Sequence, residues 1–122
     1  MNSFFYDTYA LFEIARGNPT YLPYSSNISI MTTHLQLMEL YYSLLRTISK
    51  EQAEKYYNLF ASFAHPLDDE TIKEAMQFRL LHKNKGLSYV DCIGYIMAKQ
   101  RRIPFLTGDK EFEHLPGVEF VK

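Results

Sequence analysis

The sequence predicts an α/β fold with a mostly parallel sheet in a single domain, residues 1–122, and three observations carry that prediction. Single strand candidates are separated by helical stretches along the chain, the pattern of right-handed crossovers. No linker, repeat or low-complexity segment divides the 122 residues, a length that buries a normal core without metal or disulfide staples. Two strand candidates run into an acid, Asp7 after SFFY and Asp109 after IPFLTG. That is the carboxyl edge, where open parallel sheets place their ligands.

SFFY (3–6) is a short apolar strand. A helix follows from Thr8 to Arg16 and stops at Gly17-Asn18-Pro19. NISIM (27–31), β-branched at alternate positions, reads as the second strand. Thr33-His34-Leu35-Gln36 has the pattern of a capping box and opens a helix to Thr47; Ser49-Lys50-Glu51-Gln52 repeats it and opens one to Leu59. ASFAHPL (61–67) is read as a short strand rather than as the end of that helix. Asp69 caps a helix over Glu70–Asn84, with Gly86 as its stop. Ser88-Tyr89-Val90-Asp91 begins a last helix to about Arg102. IPFLT and GVEFV then close the chain as strands around a short helical turn.

Composition removes several function classes. Hydrophobic content of 47% and charged content of 22% describe a globular chain, not a disordered one. The net charge of −1 provides no global basic field, so a polyanion would have to be met by a local patch or by metal ions. Cys92 is the single cysteine; it fits a reducing compartment and reads as a small buried hydrophobe. The first residues lack a basic n-region, and no apolar stretch reaches the length of a membrane span. A cytoplasmic protein without a membrane partner is the expectation. His34, His65, His82 and His114 fall into no zinc-ligand spacing, and there is no Walker loop, GxGxxG or nucleophile elbow.

What remains is a set of four acids. Glu39 lies in HLQLMELYYSLL, at the border of an apolar stripe formed by Leu35, Met38, Tyr42 and Leu45. Asp91 sits in the first turn of the otherwise apolar VDCIGYIMA. Each acid has a structural explanation: Asp91 as half of a capping box with Ser88, Asp7 and Asp109 as helix caps, and Glu39 paired with Arg46 or a lysine. Together they admit another. Two acids at strand tips and two on flanking helices can converge above the sheet. Two carboxylates about 4 Å apart repel by roughly 4 kcal/mol at an effective dielectric near 20, so such a cluster either keeps protons or binds Mg²⁺ or Mn²⁺.

FFYDTYALFEIARGN, TTHLQLMELYYSLL and LSYVDCIGYIMAKQRRIPFLTGDKEFEHL, in that order, resemble a PIN domain, in particular the small VapC-type toxins of toxin–antitoxin modules. The likeness covers nearly the whole chain and is most specific where an acid opens a helix and a strand then leads to T-x-D-x-[DE]-F. It implies a three-layer α/β/α sandwich with a parallel, roughly five-stranded sheet. It also implies cleavage of RNA by a water activated on one or two Mg²⁺ or Mn²⁺ ions. By position, the resemblance makes Asp7, Glu39, Asp91 and Asp109 the metal-binding and catalytic acids, Thr107 the hydroxyl that supports the last acid, and Glu111 an outer-shell group. Gly94 stands where Ala is usual, at a helix cost of about 1 kcal/mol, and Tyr9 stands where a smaller residue is common.

Partners follow from the same resemblance: single-stranded or looped RNA, a second copy in a homodimer, and an antitoxin protein. Arg46 and Lys110 are the phosphate-contact candidates. Lys99, Arg101 and Arg102 are read instead as cations complementing a helix C-terminus. Tyrosines of the 41–57 segment face another chain or pack between helices. A catalytically silent PIN-like module that binds RNA or protein is the alternative. A receiver-like signalling domain would need adjacent acids after the first strand, where this chain has Asp7 alone.

Overall fold

The computed structural model describes residues 2–122. β1 (Asn2–Tyr6) leads directly into α1 (Thr8–Ala15), and a 3-10 turn at Pro19–Tyr24 precedes β2 (Ile28–Met31). α2 (His34–Thr47) and α3 (Lys50–Ala61) form one helical hairpin, α4 (Asp69–Leu81) and α5 (Tyr89–Arg101) another. β3 (Phe105–Thr107), a 3-10 turn at Lys110–Phe112 and β4 (Val118–Phe120) complete the chain. The strands run in the order β2-β1-β3-β4 and every pairing is parallel. β1 and β3, far apart in sequence, are therefore neighbours, with Tyr6 opposite Leu106.

Alternation along each strand builds the layers. Side chains one residue apart point to opposite faces, so Phe4, Tyr6 and Leu106 meet Leu11 of α1, Leu37 and Leu40 of α2 and Phe60 of α3. Phe5 and Phe105 point the other way, onto Cys92, Tyr95 and Ile96 of α5 and Ala75 of α4. The result is the three-layer sandwich. Each of these buried large side chains contributes about 1.5–3 kcal/mol by leaving water.

Several expectations are corrected. The described sheet has four strands, not five: α3 runs on to Ala61, and of the 61–67 segment only Ala64 forms an isolated parallel bridge, to Thr32. Pro66 has no N–H to donate to a longer ladder there. α4 ends at Leu81, short of Asn84, and the 3-10 turn over Pro19–Tyr24 was not foreseen. On α2 the buried face is Gln36, Leu37, Leu40 and Leu44, while Met38, Tyr42 and Leu45 are exposed. Thr33 caps α2 through the N–H of Leu35, but Gln36 does not close a capping box. Its side chain is fully buried and donates to Val90 O at 3.1 Å instead. Of the tyrosines in the 41–57 segment, Tyr41 packs edge-on against Tyr57 and Tyr56 against Phe60, while Tyr42 stays out in solvent.

Candidate metal centre at the carboxyl edge

Asp7 follows β1 and is only 2% exposed. It occupies the N-cap position of α1, yet its carboxylate makes no cap hydrogen bond. The carboxylate turns into the sheet, where Oδ2 accepts from the Thr107 hydroxyl at 2.8 Å, and Oδ1 is buried without a partner. The helix-cap explanation thus fails for Asp7. Thr107 also accepts from the N–H of Asp109 at 3.1 Å, so one hydroxyl joins the two acids at the strand tips.

The helix acids are held just as locally. Ser88 and Asp91 form the reciprocal capping box: Asp91 Oδ2 accepts from the Ser88 N–H at 2.9 Å and Ser88 Oγ from the Asp91 N–H at 3.0 Å. Asp109 Oδ1 caps the following 3-10 turn through the N–H of Glu111 at 3.0 Å. Capping therefore accounts for one oxygen of Asp91 and one of Asp109. Glu39 accepts from the Thr8 hydroxyl at 2.8 Å, and among the described residues no cation pairs with it. Glu111 accepts from the N–H of Gly86 at 3.0 Å and ties the loop before α5 to the turn that carries Asp109.

Electrostatics show that these groups share one region. Burial, then the charge of Asp91 and more weakly that of Glu39, pushes Asp7 up to about 8, against the opposing pull of its bond from Thr107. Burial also raises Glu39 and Asp91; the Asp91 charge adds to the first and the Asp109 charge to the second. Asp7, Glu39, Asp91 and Asp109 offer only oxygen donors, the first three with their ionisation penalised, and Asp7 Oδ1 is a buried acceptor with nothing to accept from. Both features fit a hard divalent cation. Among the described residues no three such side chains lie close enough to hold an ion as they stand.

The sequence profile of the PIN domain matches residues 4–118. The chain belongs to the PIN-domain family. No curated protein matches it at the level of sequence. Among solved structures, the fold of this PIN domain is similar to that of VapC20 of Mycobacterium tuberculosis, a sarcin-ricin loop cleaving toxin. The TM-score is 0.84 at 19% identity, over 98% of this chain and 99% of that one. A toxin–antitoxin complex from Klebsiella pneumoniae gives a TM-score of 0.77 at 18% identity, over 94% of each chain. VapBC2 of Rickettsia felis, bound to a DNA fragment from its promoter, gives 0.74 at 17% identity, over 98% of this chain and 99% of that one.

Of the phosphate-contact candidates, Arg46 shares a groove with Thr8 and Glu39, while Lys110 is exposed on the turn after Asp109. Lys99 lies near Glu74 at 3.7 Å, towards the far end of α5 from Asp91. An apolar groove of about 670 Å³ is lined by Tyr95, Ala98, Ile103 and Gly117 and lies at the amino ends of β3 and β4. None of the four acids borders it. Burial pushes the Cys92 thiol up to about 11, leaving it an inert core residue. Thr8 and Gln36 went unrecognised in the sequence. The hydroxyl directly after Asp7 was the available sign for Thr8; the capping-box pattern concealed Gln36.

Proposed function

We propose that this PIN domain is a metal-dependent endoribonuclease that hydrolyses phosphodiester bonds in RNA, the toxin of a toxin–antitoxin pair. The observation that carries the reading is Asp7, a carboxylate buried at a strand tip, with one oxygen unpaired and with Asp91 and Glu39 raising the cost of its charge.

Asp7, Glu39, Asp91 and Asp109 would hold one or two Mg²⁺ or Mn²⁺ ions, which when bound supply an acidic water and charge neutralisation at a scissile phosphate. The chain's own residues orient that set. Thr107 fixes the rotation of the Asp7 carboxylate, Thr8 that of Glu39, and the Ser88 N–H that of Asp91. Glu111 acts indirectly, through the Gly86 loop. Arg46 and Lys110 supply positive charge for the flanking phosphates.

Two partners belong to the same reading. The relatives from Klebsiella and Rickettsia are toxin–antitoxin assemblies, which supports an antitoxin partner here. Exposed Leu80 and Leu81 at the end of α4 support a homodimer.

Labelled single-stranded RNA incubated with the purified protein and Mg²⁺ or Mn²⁺, beside an EDTA control and Asp91→Asn, tests the assignment. Cleavage is expected to require both metal and Asp91 and to leave a 5′-phosphate and a 3′-hydroxyl. If no metal supports cleavage, the domain is a silent RNA- or protein-binding module.

A further inference from the structure

The structure leaves one face of α2 without a partner, and that face begins at the candidate metal centre. Thr8, Met38, Glu39, Tyr42, Ser43 and Arg46 line an open groove of about 600 Å³. Met38, Tyr42 and Arg46 recur at four-residue spacing and so form one stripe along the helix, with Glu39 and Ser43 on the adjacent stripe. Met38 is 56% and Tyr42 64% exposed, although both belong to residue types that elsewhere in this chain pack into the core. Tyr41, the preceding residue, is packed edge-on against Tyr57, whereas no ring or hydrogen bond among the described residues engages Tyr42.

The groove is polarised. One end is the Glu39 carboxylate, held by Thr8. The other is the guanidinium of Arg46, two helical turns and about 10 Å further along the axis. A free aromatic face lies between an end that a divalent ion would make attractive to phosphate and an end that already is. That order matches the alternation of phosphate, base and phosphate in an unpaired strand. Stacking on an aromatic side chain is the usual way to hold an unpaired base, and a guanidinium suits a phosphate by geometry as well as charge.

We infer that this groove is a nucleotide subsite, in which Tyr42 stacks one unpaired base beside the scissile bond and Arg46 binds the next phosphate. The inference rests on the ribonuclease reading and names where its substrate lies. Because stacking tolerates any base, this subsite requires a splayed nucleotide and does not read its sequence. Met38 flanks the ring and extends the apolar surface.

The test is fluorescence anisotropy with a labelled single-stranded RNA in EDTA, so that binding is read without cleavage, for wild type, Tyr42→Ala, Tyr42→Phe and Arg46→Ala. Tyr42→Ala is expected to weaken binding about tenfold and Tyr42→Phe to restore it. Arg46→Ala should lower the slope of log affinity against log salt by about 0.7, the share of one phosphate on a single strand. Oligonucleotides made abasic at one position at a time add a coupling measurement. At one position the missing base should cost wild type as much as the missing ring does, and cost Tyr42→Ala nothing more. RNA affinity unchanged in both alanine variants overturns the subsite. If those variants instead change the sedimentation of the protein, the face is an interface between copies. RNA binding that depends on Tyr42 and Arg46 without any metal-dependent cleavage would keep the subsite and sink the nuclease; cleavage indifferent to both residues would do the reverse.

Discussion

Gln36 and Gly94 sit so close that a Cβ on Gly94 would lie 2.7 Å from Nε2 of Gln36, and 2.8 Å from a ring carbon of Phe5. The glycine that looks like a flaw in α5 is what lets this helix approach both the sheet and α2. At that approach the Gln36 amide reaches the carbonyl of Val90, the residue before Asp91. One buried side chain thereby links the helix of Glu39 to the helix of Asp91.

Gly94→Ala should therefore destabilise the protein despite the better helix propensity of alanine. Overpacking costs about 1–3 kcal/mol, against about 1 kcal/mol gained from propensity. A lowered denaturant midpoint at an unchanged slope is the expected result, with weaker Mn²⁺ binding as the helices separate. A variant as stable as wild type would show that the contact yields freely.

Thr107 serves two acids with one hydroxyl. Thr107→Val, nearly equal in shape, should cost about 1–3 kcal/mol because it leaves buried polar groups of Asp7 and Asp109 unmatched. Thr107→Ser keeps the oxygen and should recover most of the stability and of the Mn²⁺ affinity. Equal losses in both variants would assign the effect to packing by the methyl group.

Asp7 makes metal-free stability fall as pH rises. Its folded value, about 8, lies above the 3.8 of an exposed aspartate, so between the two the folded state holds a proton that the unfolded state has lost. The raised values of Glu39 and Asp91 act in the same direction. Glu13, held low by its bonds from Arg16, acts oppositely, and its contribution is lost as pH falls through the acid range. In EDTA the melting temperature should decline from about pH 5 to about pH 8, and added Mn²⁺ should raise it more at the upper end. Asp7→Asn should flatten that decline, gain on the order of a few kcal/mol near pH 8, and abolish cleavage. A wild-type profile flat over this range would contradict the buried charge.

Local chemistry is the part of this protein legible in the chain alone. Ser88 and Asp91 are three residues apart, and their capping box forms as its spacing dictates because both partners lie in one helical turn. Asp7 and Asp109 follow apolar runs, and a parallel sheet brings such acids to one edge whatever the details. Tertiary structure alone decided the rest. The bond from Thr107 to Asp7 spans 100 residues and exists because β3 pairs with β1. Gly94 is explained by Gln36 and Phe5, neither of them near it in sequence. The apolar stripe of α2 misled because Met38 and Tyr42 have the spacing of core residues, while Gln36, polar and read as part of a capping box, took the buried place. Periodicity reports which residues share a face of a helix; only the packing of one element on another determines which face is covered, and so which apolar residues are left for a ligand.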